Sequence, residues 1–260
     1  MYFRMKDYKG EIMKKERIHL LDTVRGILIL GVVIYHFLFD VAVFTDIDMT
    51  WFDDWWVNLI RDIGAGTFIF ISGISCHLSH NNMKRGIKAA IVAILISVVT
   101  YFFVPDEFIL FGIIHLLALC MLLYEPVLRI FNRVPAAFGA LMALSCYLLT
   151  SNVYYGYIGI AGFLEIHLQL ELYGNVLGYI MGFGMYSPVS SADYFPVIPW
   201  IFLFIAGIMA GEYFERDNIN GIFYKNMIPP VTWLGTKTMI IYILHQPIIY
   251  GIFELIYVQS

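Results

Sequence analysis

Residues 22–44, DTVRGILILGVVIYHFLFDVAVF, decide how this chain folds. The stretch is close to the ~20 residues that a membrane-crossing helix needs, and its only ionisable groups besides Tyr35 are Asp22, Arg25, His36 and Asp40. From Arg25 to His36 is eleven residue steps, about 1100° of helix, so the two side chains sit about 20° apart in phase and ~16 Å apart along the axis. Asp22 precedes Arg25 by three residues and Asp40 follows His36 by four, which extends the same face at both ends. One polar stripe therefore runs along an otherwise apolar helix, and it must face a bundle interior or a wet cavity rather than lipid.

Six further apolar runs, at about 63–79, 87–104, 108–128, 135–150, 196–214 and 238–257, give about seven transmembrane spans. The chain is 60% hydrophobic and only 14% charged, which excludes an ordinary water-soluble domain, a disordered chain and a nucleic-acid-binding surface. The expected class is an all-α, polytopic membrane helical bundle in a lipid bilayer.

Basic residues set its orientation. With the N-terminus in the cytoplasm, seven spans place Arg4, Lys6, Lys9, Lys14, Lys15, Arg17, Arg25, Lys84, Arg85, Lys88, Arg129, Arg133, Arg216, Lys225 and Lys237 on the inner side, leaving only Arg61 outside. The C-terminus is then outside. Residues 1–17 read as a polar cytoplasmic tail without an apolar core, so the first span is expected to anchor itself rather than be cleaved. Residues 18–260 read as a single membrane domain.

An eighth crossing at 164–185 would expel Arg216, Lys225 and Lys237, so that segment is expected to be re-entrant or interfacial. It alternates Glu165, His167, Gln169 and Glu171 with Ile166, Leu168, Leu170 and Leu172, as a strand with one wet edge does. No metal site is assigned to it. Cys76, Cys120 and Cys146 match no zinc or redox spacing and read as small core residues. Nucleotide-binding, zincin and nucleophile-elbow motifs are absent.

An ionisable group at mid-span costs ~2.5–3.5 kcal/mol on insertion scales, whereas a hydrogen bond between membrane helices returns ~0.6 kcal/mol on average. That imbalance favours a functional use for His36 and Asp40 over simple helix gluing. His115 in the fourth span and His245 in the seventh are also deep. Gln246 and Pro247 follow His245, and the proline is expected to disturb the helix and free backbone carbonyls. Either histidine reads as a site residue or as a satisfied core group. Gly64, Gly66, Ser72, Gly73 and Ser75 in the second span suit close helix packing, and Trp51, Trp55, Trp56 and Trp200 suit an outer aromatic belt.

The residues from Asp22 through Arg25 and Gly26 to His36 and Asp40, with Phe68 to Gly73, Phe111-Gly112 to His115, Asp193-Tyr194-Phe195-Pro196, Pro199-Trp200, Leu234-Gly235 and His245-Gln246-Pro247, resemble the heparan-α-glucosaminide N-acetyltransferase catalytic-domain family, in its bacterial members. The resemblance covers about residues 16–257. The family is similar in turn to the transmembrane acyltransferase superfamily, in which an arginine, ten residues and a histidine recur in the first span, as Arg25 and His36 do here.

This resemblance implies an enzyme of the bacterial cytoplasmic (plasma) membrane. It would move an acyl group, acetyl by analogy, from cytoplasmic acyl-CoA to a hydroxyl or amine acceptor, such as a carbohydrate, near the outer side. It casts acetyl-CoA as the donor substrate, with no metal. His36 would serve as general base or acyl carrier, with Asp40 orienting it and Arg25 steadying the donor. His115, His245, Gln246 and Asp193 would line the substrate cavity. The residues alone also admit a non-enzymatic carrier or channel that uses the same polar stripe, or a structural subunit.

Overall fold

In the computed structural model, which describes residues 17–215 and 220–257, the run quoted above lies within one helix, α1 (His19–Phe44). The tail bases Arg4, Lys6, Lys9, Lys14 and Lys15, and the loop base Arg216, lie outside the described residues. Four helices follow, α2 (Trp55–His77), α3 (Asn82–Phe103), α4 (Ile113–Leu122) and α5 (Tyr124–Phe131), then α6 (Ala136–Thr150). A two-stranded hairpin, β1 (Tyr157–Ile160) and β2 (Leu164–His167), separates these from α7 (Val176–Met181), α8 (Val197–Gly211), α9 (Pro229–Thr236) and α10 (Thr238–Tyr257). Six of the helical segments are long and apolar enough to cross a membrane, and the pair α4 and α5 makes a seventh if taken as one span. The chain is an all-α polytopic membrane protein.

The 108–128 run departs from a straight span. Its helix starts only at Ile113, stops at Leu122, and resumes as α5 with a bend of 57°. Pro126 explains the break: it has no N–H to donate to the Leu122 carbonyl and its ring crowds that oxygen, but it fits the first turn of a new helix. Pro247 acts more mildly, since α10 runs from Thr238 to Tyr257 with the proline inside it.

Two compact units make up the described residues, 17–61 with 220–257 and 62–215. In the first, α9 lies against the N-terminal half of α1 at backbone contact. A Cβ added at Gly26 would strike the Val231 carbonyl, and one added at Gly235 would strike the Asp22 carbonyl. Thr23 and Thr232 join their hydroxyls across this seam at 2.7 Å. Farther out, Phe37 and Phe44 pack on Phe253 of α10 with ring centroids 5.8 and 5.7 Å apart. Ile27, Ile34 and Val43 remain exposed, as side chains facing lipid do.

In the second unit α2 and α8 cross where Gly73 meets the Phe204 carbonyl and Gly207 meets that of Phe70, which places the small-residue surface of the second span in a close helix contact. Ala143 of α6 packs with Ile205, Ala206 and Met209 of α8. Within the 164–185 segment there is no spanning helix. The strand alternation appears as β2, paired antiparallel with β1, followed by a 3-10 turn at Leu170–Leu172 and the six-residue α7 capped by Asn175. Cys76, Cys120 and Cys146 form no disulfide among the described residues, and the first two are buried.

Candidate active site

The first unit gathers four of the expected site residues from two helices. Asp40, one turn beyond His36 on α1, is only 1% exposed, and its carboxylate accepts from Gln246 Nε2 at 3.1 Å (Oδ1) and 3.3 Å (Oδ2). His36 stands beside His245 of α10, with ring centroids 4.8 Å apart and planes at 61°. Tyr35 adds an edge contact to His36 at 5.6 Å, and Tyr242 flanks His245 at 5.4 Å. The sequence expectation that Asp40 orients His36 therefore meets a different arrangement. Asp40 engages the glutamine of the facing helix, and the His36 ring is set against a second imidazole.

Hydrogen bonding assigns the protons of this cluster. His245 Nδ1 lies 2.7 Å from the Tyr242 carbonyl oxygen, which can only accept, so Nδ1 carries the proton. In the neutral ring Nε2 then holds a lone pair. That atom is buried and has no partner among the described residues, and the same holds for Gln246 Oε1. A carboxylate offers no donor, so Asp40 turns the amide NH2 of Gln246 toward itself and its Oε1 away. Two adjacent residues of α10 thus present unsatisfied acceptors in a buried position, where an unmet hydrogen bond is costly. A group that brings N–H or O–H donors would satisfy them.

Arg25 lies near the N-terminal end of the same helix. Its Nη1 donates to Asp22 Oδ1 at 3.1 Å, and Arg17 Nε donates to Asp22 Oδ2 at 2.6 Å. The hydrogen bond to Asp22, and its charge, hold the Arg17 guanidinium above its ordinary pKa. Two guanidinium groups meet one buried carboxylate here, and guanidinium is a chemistry suited to phosphate groups. By helical rise Arg25 and the imidazole pair lie ~16 Å apart along α1.

His115 and Asp193, expected with this cluster, belong to the second unit, where each bonds a backbone amide at the N-terminus of α4. His115 Nδ1 accepts from the Gly112 amide at 3.2 Å, which leaves the proton on Nε2 to reach Ser97 Oγ at 3.0 Å. Asp193 Oδ2 accepts from the Ile113 amide at 3.0 Å. Ser191 Oγ accepts from the Leu110 amide at 3.1 Å and donates to the Asp193 carbonyl at 2.7 Å. His115 and Asp193 satisfy the Gly112 and Ile113 amides that begin α4, a structural task with a physical reason of its own. Ser97 and Ser191 were not singled out from sequence; a serine 80 residues from the backbone amide it bonds leaves no local signal.

Among the described residues no group of three or more histidine, cysteine, aspartate or glutamate side chains is arranged to hold a metal ion. Glu165 and His167 on β2 approach only to 3.8 Å, on an exposed strand.

Comparison with known proteins gives one family match. The family described as "Heparan-alpha-glucosaminide N-acetyltransferase, catalytic" matches residues 17–247. No curated protein and no solved structure matches. The match spans α1 to Pro247, and so includes both helices that carry the imidazole pair.

Proposed function

From the premise that this chain belongs to the heparan-alpha-glucosaminide N-acetyltransferase catalytic-domain family, and so has a membrane acetyltransferase-type function, we propose that His36 and His245 carry out acetyl transfer from cytoplasmic acetyl-CoA. The acceptor is a hydroxyl or amine, of carbohydrate type, reached from the outer side. The observation that carries the reading is the His36–His245 pair with its unpartnered Nε2, held on the two helices by the Asp40–Gln246 bond.

In this mechanism an imidazole lone pair takes the acceptor's proton while its oxygen or nitrogen bonds to the acetyl carbon. The carbon–sulfur bond of the thioester then breaks, and the imidazolium returns the proton to the departing thiolate. Positioned proton transfer of this kind contributes ~10²- to 10⁴-fold. The hydrogen bond to Tyr242 fixes the tautomer in which Nε2 is the base. Gln246 Oε1 receives an N–H or O–H of the substrate, and Asp40 is the positioning residue that fixes the amide's direction. Arg25, with Arg17, steadies the donor's phosphates at the inner mouth. The chain resides in a bacterial plasma membrane.

The test is release of free coenzyme A from acetyl-CoA by the purified protein in proteoliposomes supplied with glucosamine as acceptor probe. Acceptor-dependent release supports the reading. Solute movement across the vesicles with no release contradicts it and marks a carrier.

A further inference from the structure

The hairpin on the outer side has a face that the protein leaves bare. Ile158 pairs with Ile166 and Ile160 with Leu164 across the two strands, so these aliphatic side chains project together. Ile160, Leu164 and Ile166 are exposed, and Phe163 in the turn is 86% exposed. Glu165 and His167 occupy the alternate positions and lie within 3.8 Å of each other, with Tyr157 beside His167. The hairpin is thus amphipathic, and its position in the chain identifies what meets the apolar side. It begins at Tyr157, directly after the span-length segment Ala136–Tyr155. β1 packs against α6, and Asn152 Nδ2 ties the two by donating to the Gly159 carbonyl at 3.1 Å. Leu141, Leu148 and Tyr155 of that span are exposed, so the segment from which the hairpin emerges itself carries apolar side chains of the kind that meet lipid.

We infer that the β1–β2 hairpin is an interfacial anchor: Ile160, Phe163, Leu164 and Ile166 are seated in the outer leaflet at the boundary of headgroups and acyl chains, and Glu165 and His167 face water. The occupant is lipid, recognised by apolar contact and not by charge. Residues 134–215 contain no Lys or Arg, so no cation draws the segment to anionic headgroups. The glycine at 162, with φ of +73°, sets the tight turn that puts the Phe163 ring at the tip. This assignment is independent of the acetyl-transfer reading.

The test uses the full chain in phosphatidylcholine bilayers, with Cys76, Cys120 and Cys146 replaced by alanine and a single spin label at Phe163→Cys, Ile166→Cys or Glu165→Cys. Accessibility to oxygen, which partitions into lipid, is compared with accessibility to a water-soluble nickel chelate. The anchor predicts an oxygen-to-nickel ratio above one at 163 and 166 and below one at 165. It also predicts the same ratios when phosphatidylglycerol replaces phosphatidylcholine. Ratios below one at all three sites would place the hairpin in water. Exclusion of both reagents at 163 and 166 would mean that protein, such as a second copy, covers the face. Either result overturns the inference. If the cysteine-free background does not stay monodisperse, Phe163→Trp in the native background decides: quenching of the added emission by brominated lipid supports the anchor, and quenching by iodide overturns it.

Discussion

Gln246 Nε2 lies 3.1 and 3.3 Å from the two carboxylate oxygens of Asp40, a bond between residues 206 positions apart that ties α1 to α10. Because its acceptor is a carboxylate, the bond should be worth more than an ordinary contact between membrane helices. A double-mutant cycle with Asp40→Ala and Gln246→Ala, read by thermal unfolding in detergent, is expected to give a coupling of about 1.5–3 kcal/mol, the range for hydrogen bonds to charged groups, against the ~0.6 kcal/mol average in membrane bundles. A coupling at or below that average would show that Asp40 does not fix the amide.

Gly26 and Gly31 provide a matched pair on one helix. Gly26 faces the backbone of Val231, whereas an added Cβ at Gly31 meets nothing within 4 Å. Gly31→Ala should stabilise the protein by ~0.5–1 kcal/mol, the helix-propensity difference. Gly26→Ala should destabilise it by ~1–3 kcal/mol or more, because α9 must be displaced to admit even a methyl group. Melting temperatures that move the same way in both variants would contradict the α1–α9 contact.

At the second cluster the expected outcome is structural. Asp193→Ala removes the acceptor for the Ile113 amide and should cost about 0.5–2 kcal/mol, while Asp193→Asn keeps an acceptor oxygen and most of the stability. Unfolding curves and acetyl-CoA turnover measured on both variants separate the tasks. A stable Asp193→Ala protein with lost turnover would move this residue back among the substrate contacts.

The segment around α7 carries a pH signature. Burial first, and then the neighbouring Tyr154, push the Tyr179 phenol up to about 12. Burial likewise raises Tyr194, whose ring stacks on Tyr179 at 4.2 Å and whose hydroxyl donates to the Tyr179 carbonyl at 2.7 Å. The folded state binds these protons more tightly than the unfolded chain, where a phenol titrates near ~10. The corresponding stability is fully present below that pH and is lost as pH rises toward about 12. Tyr179→Phe should flatten the loss of melting temperature over that window, and phenolate absorbance should rise together with unfolding in the parent protein.

Much of this architecture is legible in the sequence because hydropathy reports on it directly. All seven apolar runs correspond to helical segments, and the strand alternation at 164–167 is present as β2. The break at Leu123 escapes a hydropathy reading, since Pro126 is apolar and the run continues through it, although its missing N–H foretells the bend. The phase of Arg25 and His36 on one helix follows from periodicity alone. That His245 and Gln246 close on His36 and Asp40 does not, because nothing local says which distant helix a polar face meets. His115 and Asp193 show the converse. From sequence, deep or membrane-adjacent ionisable groups look functional, and only the return of 191–195 to the start of α4 reveals the amides they satisfy.

The central claim, that the His36–His245 pair performs the acetyl transfer, is tested most directly by acceptor-dependent release of coenzyme A from His36→Ala and His245→Ala, each shown to be folded by an unchanged elution profile and melting curve. The account predicts a loss of ~10²- to 10⁴-fold in kcat for each, with the double variant no worse than about the more damaged single one, because the two imidazoles act as a unit. Undiminished turnover in a folded His36→Ala protein would contradict it.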